Sequence, residues 1–251
     1  MTETTLITGA SSGLGAGMAR ELAARGGDLA LCARRTDALE TLRAEILAAN
    51  PGRRVEIAPL DVTDDGAVFE VFSDLHARMG RIDRVIVNAG IGRGAPVGKG
   101  GWAENRATLE TNLIAAFAQS EAAMTFFRDQ SAGHLVIISS MSAMRGMRGA
   151  MTAYSTSKAA VAAMAEGIRS DVMMKKGIDV TTLFPGYIAS ELTEGMPKEK
   201  TPFLIDGAKG ARLLTDAILA RKATATVPWW PWAFMGVLMR HLPLSLVRKM
   251  T

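Results

Sequence analysis

The chain has 251 residues, of which 48% are hydrophobic and 22% are charged. This length suits one large α/β domain, and these proportions exclude an intrinsically disordered chain. The formal net charge is +4, but Lys and Arg are scattered along the chain, so we expect no nucleic-acid partner. A few residues that hold an anionic ligand would explain the basic balance equally well.

The single cysteine, Cys32, cannot form an intramolecular disulfide, and its apolar neighbours predict a buried structural thiol. The N-terminus has no basic residues ahead of its short apolar stretch, so no secretory signal is predicted. We therefore expect a cytoplasmic protein, and we predict no metal site.

Short apolar runs alternate with amphipathic stretches of helical period along the chain. Because the runs are continuous rather than alternating, they predict strands buried on both faces, as in a parallel sheet covered by helices. The predicted strands are Thr4–Thr8, Asp28–Ala33, Val55–Leu60, Arg84–Asn88, His134–Ser139, Asp179–Phe184 and Ala223–Val227. The predicted helices include Met18–Arg25, Thr36–Asn50, Thr108–Gln130, Ala153–Lys176 and Asp206–Ala220. We expect one doubly wound α/β domain spanning 1–251, with a core at 1–190 and ligands at the carboxyl ends of the strands.

A glycine-rich turn follows the first strand, in the run Thr8-Gly9-Ala10-Ser11-Ser12-Gly13-Leu14-Gly15. Glycines let the backbone approach a pyrophosphate, whose charge meets the free N–H groups at a helix N-terminus. A plain tight turn is the alternative, but the position between the first strand and the first helix favours a dinucleotide site.

The second strand ends in Ala33-Arg34-Arg35, where a carboxylate would be expected to hold the ribose of NAD. Two guanidinium groups could instead bind a 2′-phosphate, which predicts NADP(H). The alternative is that both are solvated charges that open the next helix, although positive charge is unfavourable at that end of the helix dipole.

Tyr154 and Lys158 are four residues apart in a predicted helix, so their side chains share one face. An ammonium group beside a phenol should lower the pKa of the phenol below about 10, which would make tyrosine a usable acid and base. A chance surface pair is the alternative. Small or hydroxyl residues end two strands at the same sheet edge, in Asn88-Ala89-Gly90 and Ser139-Ser140.

Together these motifs, with Asp61-Val62, Asn112 and Pro185-Gly186, resemble the short-chain dehydrogenase/reductase family over the chain to about Ser190. The resemblance implies a Rossmann-type fold of about seven strands and makes Tyr154 the proton donor to a carbonyl. It implies that Lys158 binds the nicotinamide ribose, that Ser140 contacts the substrate oxygen and that Asn112 holds a relay water. The predicted cofactor-binding set is Gly9, Ser11, Ser12, Gly13, Leu14, Gly15, Arg34, Arg35, Asp61, Val62, Asn88, Ala89, Gly90, Tyr154, Lys158, Pro185, Gly186, Ile188 and Ser190.

Two assignments have alternatives. The interval from Ser140 to Tyr154 is one residue longer than the family pattern, which makes Ser142 a second candidate for the serine role. We prefer Ser140, because a strand end fixes a side chain better than a loop. Asn112 could instead bond neighbouring backbone and bend its helix.

The substrate should lie among residues 91–101, the loop Met141–Thr152 and a lid at 187–205. Four methionines in the loop favour an apolar ketone or alcohol, although methionine is more often core filler. The predicted activity is hydride transfer between NADP(H) and a carbonyl or secondary alcohol. A catalytically silent NADP(H)-binding regulatory or scaffold protein is the alternative.

The apolar tail at 227–251 holds three of the four tryptophans. It could pack on the body and close the pocket, bury against a second subunit, or lie on a membrane surface. We prefer the two protein contacts, because apolar surface in a soluble chain usually finds protein. The resemblance also implies a homodimer or homotetramer built on the helices Thr108–Gln130 and Ala153–Lys176.

Overall fold

Seven parallel strands form one sheet in the computed structural model, which describes residues 2–174, 177–197, 199 and 201–250. The strands are β1 Thr4–Thr8, β2 Asp28–Ala33, β3 Val55–Pro59, β4 Arg84–Val87, β5 Gly133–Ile138, β6 Ile178–Pro185 and β7 Thr224–Val227. Each lies within one or two residues of its predicted bounds. β1, β4 and β5 are buried along their whole length, which is why their sequences are apolar without alternation.

Helices cover both faces of the sheet. They are α1 Gly13–Ala24, α2 Thr36–Ala49, α3 Asp65–Met79, α4 Trp102–Leu109, α5 Ala115–Gln130, α6 Met151–Val172, α7 Gly207–Leu219, α8 Trp229–His241 and α9 Leu244–Met250. A π-helical turn, Glu110–Ile114, joins α4 to α5, and a 3₁₀ turn, Met141–Met144, follows β5. The predicted helix starting at Thr108 therefore begins earlier, at Trp102. Lys176, the predicted end of α6, lies outside the described residues.

Two apolar cores stabilise the fold, one on each face of the sheet. The first packs α3, α5 and α6 through residues such as Phe72, Phe127 and Val161. The second packs α1, α2 and α7 through residues such as Met18 and Leu214. This two-faced burial confirms the predicted doubly wound α/β architecture.

The strand order β3-β2-β1-β4-β5-β6-β7 reverses direction between β1 and β4. In such sheets a crevice opens outside the carboxyl ends of the strands at the reversal, and ligands bind there. The glycine turn after β1 and the Asn88-Ala89-Gly90 segment after β4 are the two walls of this crevice.

The tail at 227–251 contains β7's last residue and helices α8 and α9. Trp232, Met239 and Val247 are buried against the rest of the chain. No helix in the described part of the chain has the length and hydropathy needed to cross a membrane.

Candidate active site

Hydrogen bonds join the two walls of the crevice. The side-chain nitrogen Nδ2 of Asn88 donates to the carbonyl oxygens of Thr8 (2.9 Å) and Gly9 (3.2 Å). The Thr8 hydroxyl oxygen accepts hydrogen bonds from the backbone N–H groups of Asn88 and Ala89. Asn88, predicted as a cofactor contact, thus uses its side chain to hold the two strand ends together.

The glycine turn needs its glycines for close backbone approach. Gly9 and Gly13 have positive φ angles of +63° and +53°, a region that favours glycine. A Cβ at Gly15 would lie 2.4 Å from the Gly9 carbonyl oxygen. Ser12 precedes α1 but its side chain does not cap the helix, and the first turn carries no acidic residue. The N-terminus of α1 therefore suits an anionic group of a ligand.

The two arginines after β2 interact with different groups. The Arg35 guanidinium donates to the hydroxyl oxygens of Ser11 (3.3 Å) and Ser12 (2.6 Å) in the glycine turn. Arg35 also forms an ion pair with Glu191, which follows β6 (3.0 Å). Burial alone would raise the pKa of Asp61, but hydrogen bonds from Thr63 and the charge of Arg34 lower it.

Glu191 was not singled out in the sequence, although it occupies the mouth of the cofactor crevice. Its carboxylate accepts hydrogen bonds from Arg35 and from Ser12 (2.8 Å), and these two contacts hold its pKa below the usual range. The neighbouring Ser190 reaches the same turn, since its Cβ lies 3.4 Å from where a Cβ of Gly13 would be. The Glu191 carboxylate thus accepts hydrogen bonds from the Ser12 hydroxyl and the Arg35 guanidinium, two donors that could instead bind a phosphate.

Tyr154, Ser140 and Lys158 come together at the carboxyl ends of β4 and β5. The Ser140 hydroxyl lies close enough to the Tyr154 phenol to lower its pKa. The ammonium of Lys158 is buried, lies 5.8 Å from the centre of the Tyr154 ring, and donates to the carbonyl oxygen of Ile138 (2.9 Å). A Cβ at Gly90 would lie 3.5 Å from that ammonium, so the predicted small residue after β4 adjoins the cluster.

The pKa of Tyr154 differs from the expectation. Burial raises it, the Ser140 hydroxyl lowers it, Tyr187 raises it, and the net shift is upward. The expected effect of Lys158 is missing because its ammonium bonds a backbone carbonyl instead of the phenol, and burial lowers the pKa of Lys158 to about 8. Tyr154 is therefore held in its protonated form at neutral pH.

The two candidate serines occupy different environments. The Ser140 hydroxyl oxygen accepts from the backbone N–H of Ser142 (3.1 Å) and contacts Tyr154. The Ser142 hydroxyl is buried without a hydrogen-bond partner among the described residues. Ser139 donates to the carbonyl oxygen of Lys158 (2.7 Å) and so fixes α6 on β5. This geometry favours Ser140 as the partner of Tyr154.

Asn112 lies in the π-helical turn between α4 and α5, a feature that often marks a functional site. Its side chain pairs with the backbone of Ile91, with one bond of 2.8 Å in each direction, and donates to the Ser157 hydroxyl (3.2 Å). The alternative in which Asn112 bonds its own helix does not describe these contacts, since its partners lie in the loop after β4 and in α6.

Two aromatic residues that the sequence analysis does not assign to the site lie close to it, Tyr187 after β6 and Trp232 in α8. Tyr187 follows the Pro185-Gly186 motif and is close enough to Tyr154 to affect its pKa. The Trp232 ring of α8 contacts the Tyr187 ring edge-on, with 5.6 Å between centres. A Cβ at Gly186 would lie 2.2 Å from the Trp232 indole nitrogen, so this glycine makes room for the tryptophan. The position of Tyr187 directly after the motif was the available signal.

Of the other predicted positions, Leu14 packs partly into the second core, and Val62 and Ile188 are buried. The segment predicted as a lid is closed at its base by pairing of Ile188 with Ile205. Within it, Lys198 and Lys200 lie outside the described residues. Met141 and Met144 of the loop pack against Gly236 of α8, which fits core filler as well as a pocket lining.

A family model described as short chain dehydrogenase matches residues 3–201. The chain belongs to this family. An uncharacterized oxidoreductase of Mycobacterium tuberculosis (strain ATCC 25618 / H37Rv) is 49% identical over 244 residues, which cover 97% of this chain and 95% of that protein. This dehydrogenase is therefore an oxidoreductase acting on alcohol or carbonyl groups.

Solved structures share the fold. An alcohol dehydrogenase from Thermococcus sibiricus complexed with 5-hydroxy-NADP matches with a TM-score of 0.79 and 25% identity, covering 90% of this chain and 96% of that chain. A short chain dehydrogenase/reductase from Burkholderia phymatum in complex with NAD matches with a TM-score of 0.85 and 20% identity, covering 100% of this chain and 96% of that chain. The fold thus accepts both cofactors, and the family implies one of them here.

The residues of this dehydrogenase fit a nicotinamide dinucleotide. The uncapped N-terminus of α1 and the glycines of the turn leave backbone donors for its pyrophosphate. Lys158 and Gly90 adjoin the catalytic tyrosine candidate across the same crevice. In the described part of the chain, no group of three metal-ligating side chains is present.

Proposed function

We propose that this dehydrogenase reduces a lipophilic ketone, or oxidises the corresponding secondary alcohol, with NADP(H) as the cofactor and Tyr154 as the acid and base. The observation that carries the proposal is the cluster of Tyr154, Ser140 and Lys158 at the sheet edge where the cofactor crevice opens. A buried phenol, a hydroxyl and an ammonium group are the side chains that proton transfer to a carbonyl oxygen requires.

NADPH, when bound, supplies the hydride. The Tyr154 hydroxyl donates its proton to the carbonyl oxygen, and the Ser140 hydroxyl orients that oxygen by a hydrogen bond. Burial holds the pKa of Tyr154 above its usual value, so the phenol carries the proton that this step transfers. Lys158, whose ammonium lies 5.8 Å from the centre of the Tyr154 ring and donates to the carbonyl oxygen of Ile138, would hold the nicotinamide ribose of the bound cofactor.

Arg34 and Arg35 support NADP(H) over NAD(H). Arg35 already holds a carboxylate, Glu191, with the help of Ser12, so the same donors suit a phosphate on the adenine ribose. Arg34 adds positive charge on the side of the adenine-contacting candidates Asp61 and Val62. The similar Thermococcus sibiricus alcohol dehydrogenase, complexed with 5-hydroxy-NADP, agrees with this choice.

The surroundings of Tyr154 support an apolar substrate. Tyr187, Trp232 and Phe203 form a chain of ring contacts on the side of the segment after β6, with Trp232 and Phe203 6.1 Å apart. Met235 and Met144 pack against the same aromatic cluster. Aromatic and thioether side chains favour a ligand with a large apolar surface.

A panel of ketones tests the proposal, from short aldehydes to long-chain 3-oxoacyl compounds and steroids, with oxidation of NADPH and of NADH as readouts. We expect turnover of lipophilic ketones with NADPH. NADPH binding without turnover of any ketone would favour the silent binder, and faster turnover with NADH would overturn the cofactor assignment. Ser140→Ala should abolish most turnover while Ser142→Ala retains it; the reverse would move the serine role to Ser142.

We propose in addition that two copies associate through α5 and α6. Ile114, the last residue of the π-helical turn, and Phe117 of α5 expose apolar side chains, which supports a protein contact there. Light scattering on Phe117→Ser should show a smaller species than the wild type, and an unchanged mass would contradict this interface.

A further inference from the structure

Helix α8 has an inner face that the body of the protein covers. Trp232 packs against Phe184 and Tyr187, and Gly236 lets the helix approach Met141, whose Cε would lie 3.0 Å from a Cβ at that glycine. Arg145, from the 3₁₀ region after β5, donates to the carbonyl oxygens of Arg240 and Leu242 and so holds the end of the helix. The inner face therefore packs on the body of the protein, as the first of the three alternatives for the tail expects.

The outer face of α8 is apolar and uncovered. Phe234 and Val237 are three residues apart, which places them on one side of the helix. Trp230 precedes the regular part of the helix, because its backbone is extended (φ -100°, ψ 134°). The exposed fractions of Trp230, Phe234 and Val237 are 66%, 55% and 59%, and that of Trp229 is 72%. The rings of Trp230 and Phe234 are 6.3 Å apart, so they form one continuous surface. We call Trp229, Trp230, Phe234 and Val237 the outer patch.

The charged side chains of the tail that carries the outer patch have one sign. The chain contains 25 Asp and Glu residues, but residues 228–251 contain none, whereas they include Arg240, Arg248 and Lys249. Arg240 and Arg248 are exposed, and no ion pair involves them in the part of the chain that the structure describes. The guanidinium of Arg145 lies at the same end of α8. By contrast, the exposed Arg221 before β7 pairs with Glu3 and Asp179.

Exposed aromatic side chains together with unpaired basic residues distinguish the two partners that remain for the outer patch, which are a second copy of the chain and a membrane surface. A two-fold interface between copies would place the same surface against itself, and the tail supplies no Asp or Glu that could pair with Arg240 and Arg248 of the other copy. An anionic lipid surface accepts both features, because indole rings favour the membrane interface and basic side chains are attracted to acidic headgroups.

We infer that the outer patch of α8 binds the surface of a membrane that contains anionic lipids, with the protein lying on the bilayer rather than crossing it. The aromatic side chains enter the interface, and Arg240 and Arg248 contact headgroup phosphates and carboxylates. The inner face of the same helix stays against the aromatic cluster around Trp232.

Co-sedimentation of the full chain with vesicles tests the inference. One set of vesicles contains phosphatidylcholine alone, and the other contains phosphatidylcholine mixed with phosphatidylserine. We expect stronger binding to the mixed vesicles, weakened by added salt. The double variant Trp230→Ser/Phe234→Ser should weaken that binding about tenfold or more, and Arg240→Gln/Arg248→Gln should remove the preference for phosphatidylserine.

Trp102→Ser is the matched control, since Trp102 is 68% exposed but lies on α4, outside the tail. It should bind vesicles as the wild type does. Circular dichroism and the turnover of a water-soluble ketone should be unchanged in the Trp230→Ser/Phe234→Ser variant, because both side chains face away from the body. Failure of the wild type to bind either vesicle overturns the inference. A lower mass of the double variant by light scattering, with vesicle binding unchanged, overturns it in favour of a contact between copies.

Discussion

The two edges of the sheet use buried polar groups in opposite ways. At the amino edge, Arg84 is 2% exposed and donates to the His134 ring nitrogen Nδ1 (3.0 Å), the Thr5 hydroxyl oxygen (3.1 Å) and the Glu3 carboxylate (2.5 Å). Because Nδ1 accepts a hydrogen bond, the other ring nitrogen carries the proton and donates to Thr181 (2.8 Å). These groups bind one another, and none of their buried side-chain atoms lacks a partner among the described residues.

The carboxyl edge keeps binding capacity open. Within the described residues, the Ser142 hydroxyl and the Trp232 indole nitrogen are buried without hydrogen-bond partners. Tyr154 and Lys158 contact a hydroxyl and a carbonyl but no carboxylate among the contacts described above. The buried polar groups of the amino edge therefore stabilise the fold, whereas those of the carboxyl edge remain available to a ligand. Variants at one edge should therefore change the free energy of unfolding, and variants at the other should change activity.

The largest expected change in stability comes from Arg84→Ala. It removes charged hydrogen bonds and leaves a cavity at a buried position, which together should lower the free energy of unfolding by about 3–5 kcal/mol. Urea denaturation measures this value. Arg221→Ala is the control at the same edge, because this exposed arginine forms surface ion pairs and should cost about 1 kcal/mol or less. Equal losses for the two variants would contradict a buried network.

Arg35→Ala tests the opposite edge without touching a core. Loss of the guanidinium should raise the KM for NADPH by about 10- to 100-fold, since a charged hydrogen bond contributes about 1.5–3 kcal/mol, and it should leave the KM for NADH nearly unchanged. Arg20→Ala is the control, because Arg20 pairs with Glu45 between α1 and α2. Glu191→Gln keeps Arg35 and removes its anionic partner, so NADPH binding should not weaken. An equal rise in the KM for NADPH and in the KM for NADH would mean that Arg35 does not bind the 2′-phosphate.

The next effect is a dependence of stability on pH at the amino edge. Burial, with the charges of Arg84 and Arg221, lowers the pKa of His134 to about 3, whereas the unfolded chain protonates this ring near its usual value of about 6.5. The unfolded state therefore binds more protons below pH 6.5, and the free energy of unfolding should fall by about 2 kcal/mol between pH 7 and pH 5. Urea titrations of His134→Asn should lack this slope, while the exposed variant His241→Asn should keep it.

The sequence predicted the fold closely because its strands are apolar without interruption and several of them end at Gly, Asn or Pro. It also placed Tyr154, Lys158 and Ser140 at one sheet edge, since carboxyl ends of parallel strands meet there. The structure brings these three together and places Gly90 beside them.

Contacts between distant segments could not be predicted from local patterns. The pairing of Arg35 with Glu191, 156 residues away, depends on how the segment after β6 returns over the glycine turn. The shift of the Tyr154 pKa depends on burial and on Tyr187, which four-residue spacing does not reveal. The apolar run of the tail likewise does not indicate which residues of α8 pack in the cluster around Trp232 and which are exposed.

The most direct test of the account is single-turnover reduction of a ketone by Tyr154→Phe with NADPH already bound. The variant keeps the ring and removes the proton, so we expect the rate of hydride transfer to fall by about 10²- to 10⁴-fold while fluorescence titration shows unchanged NADPH affinity. A rate close to that of the wild type, with NADPH binding intact, would show that Tyr154 is not the proton donor.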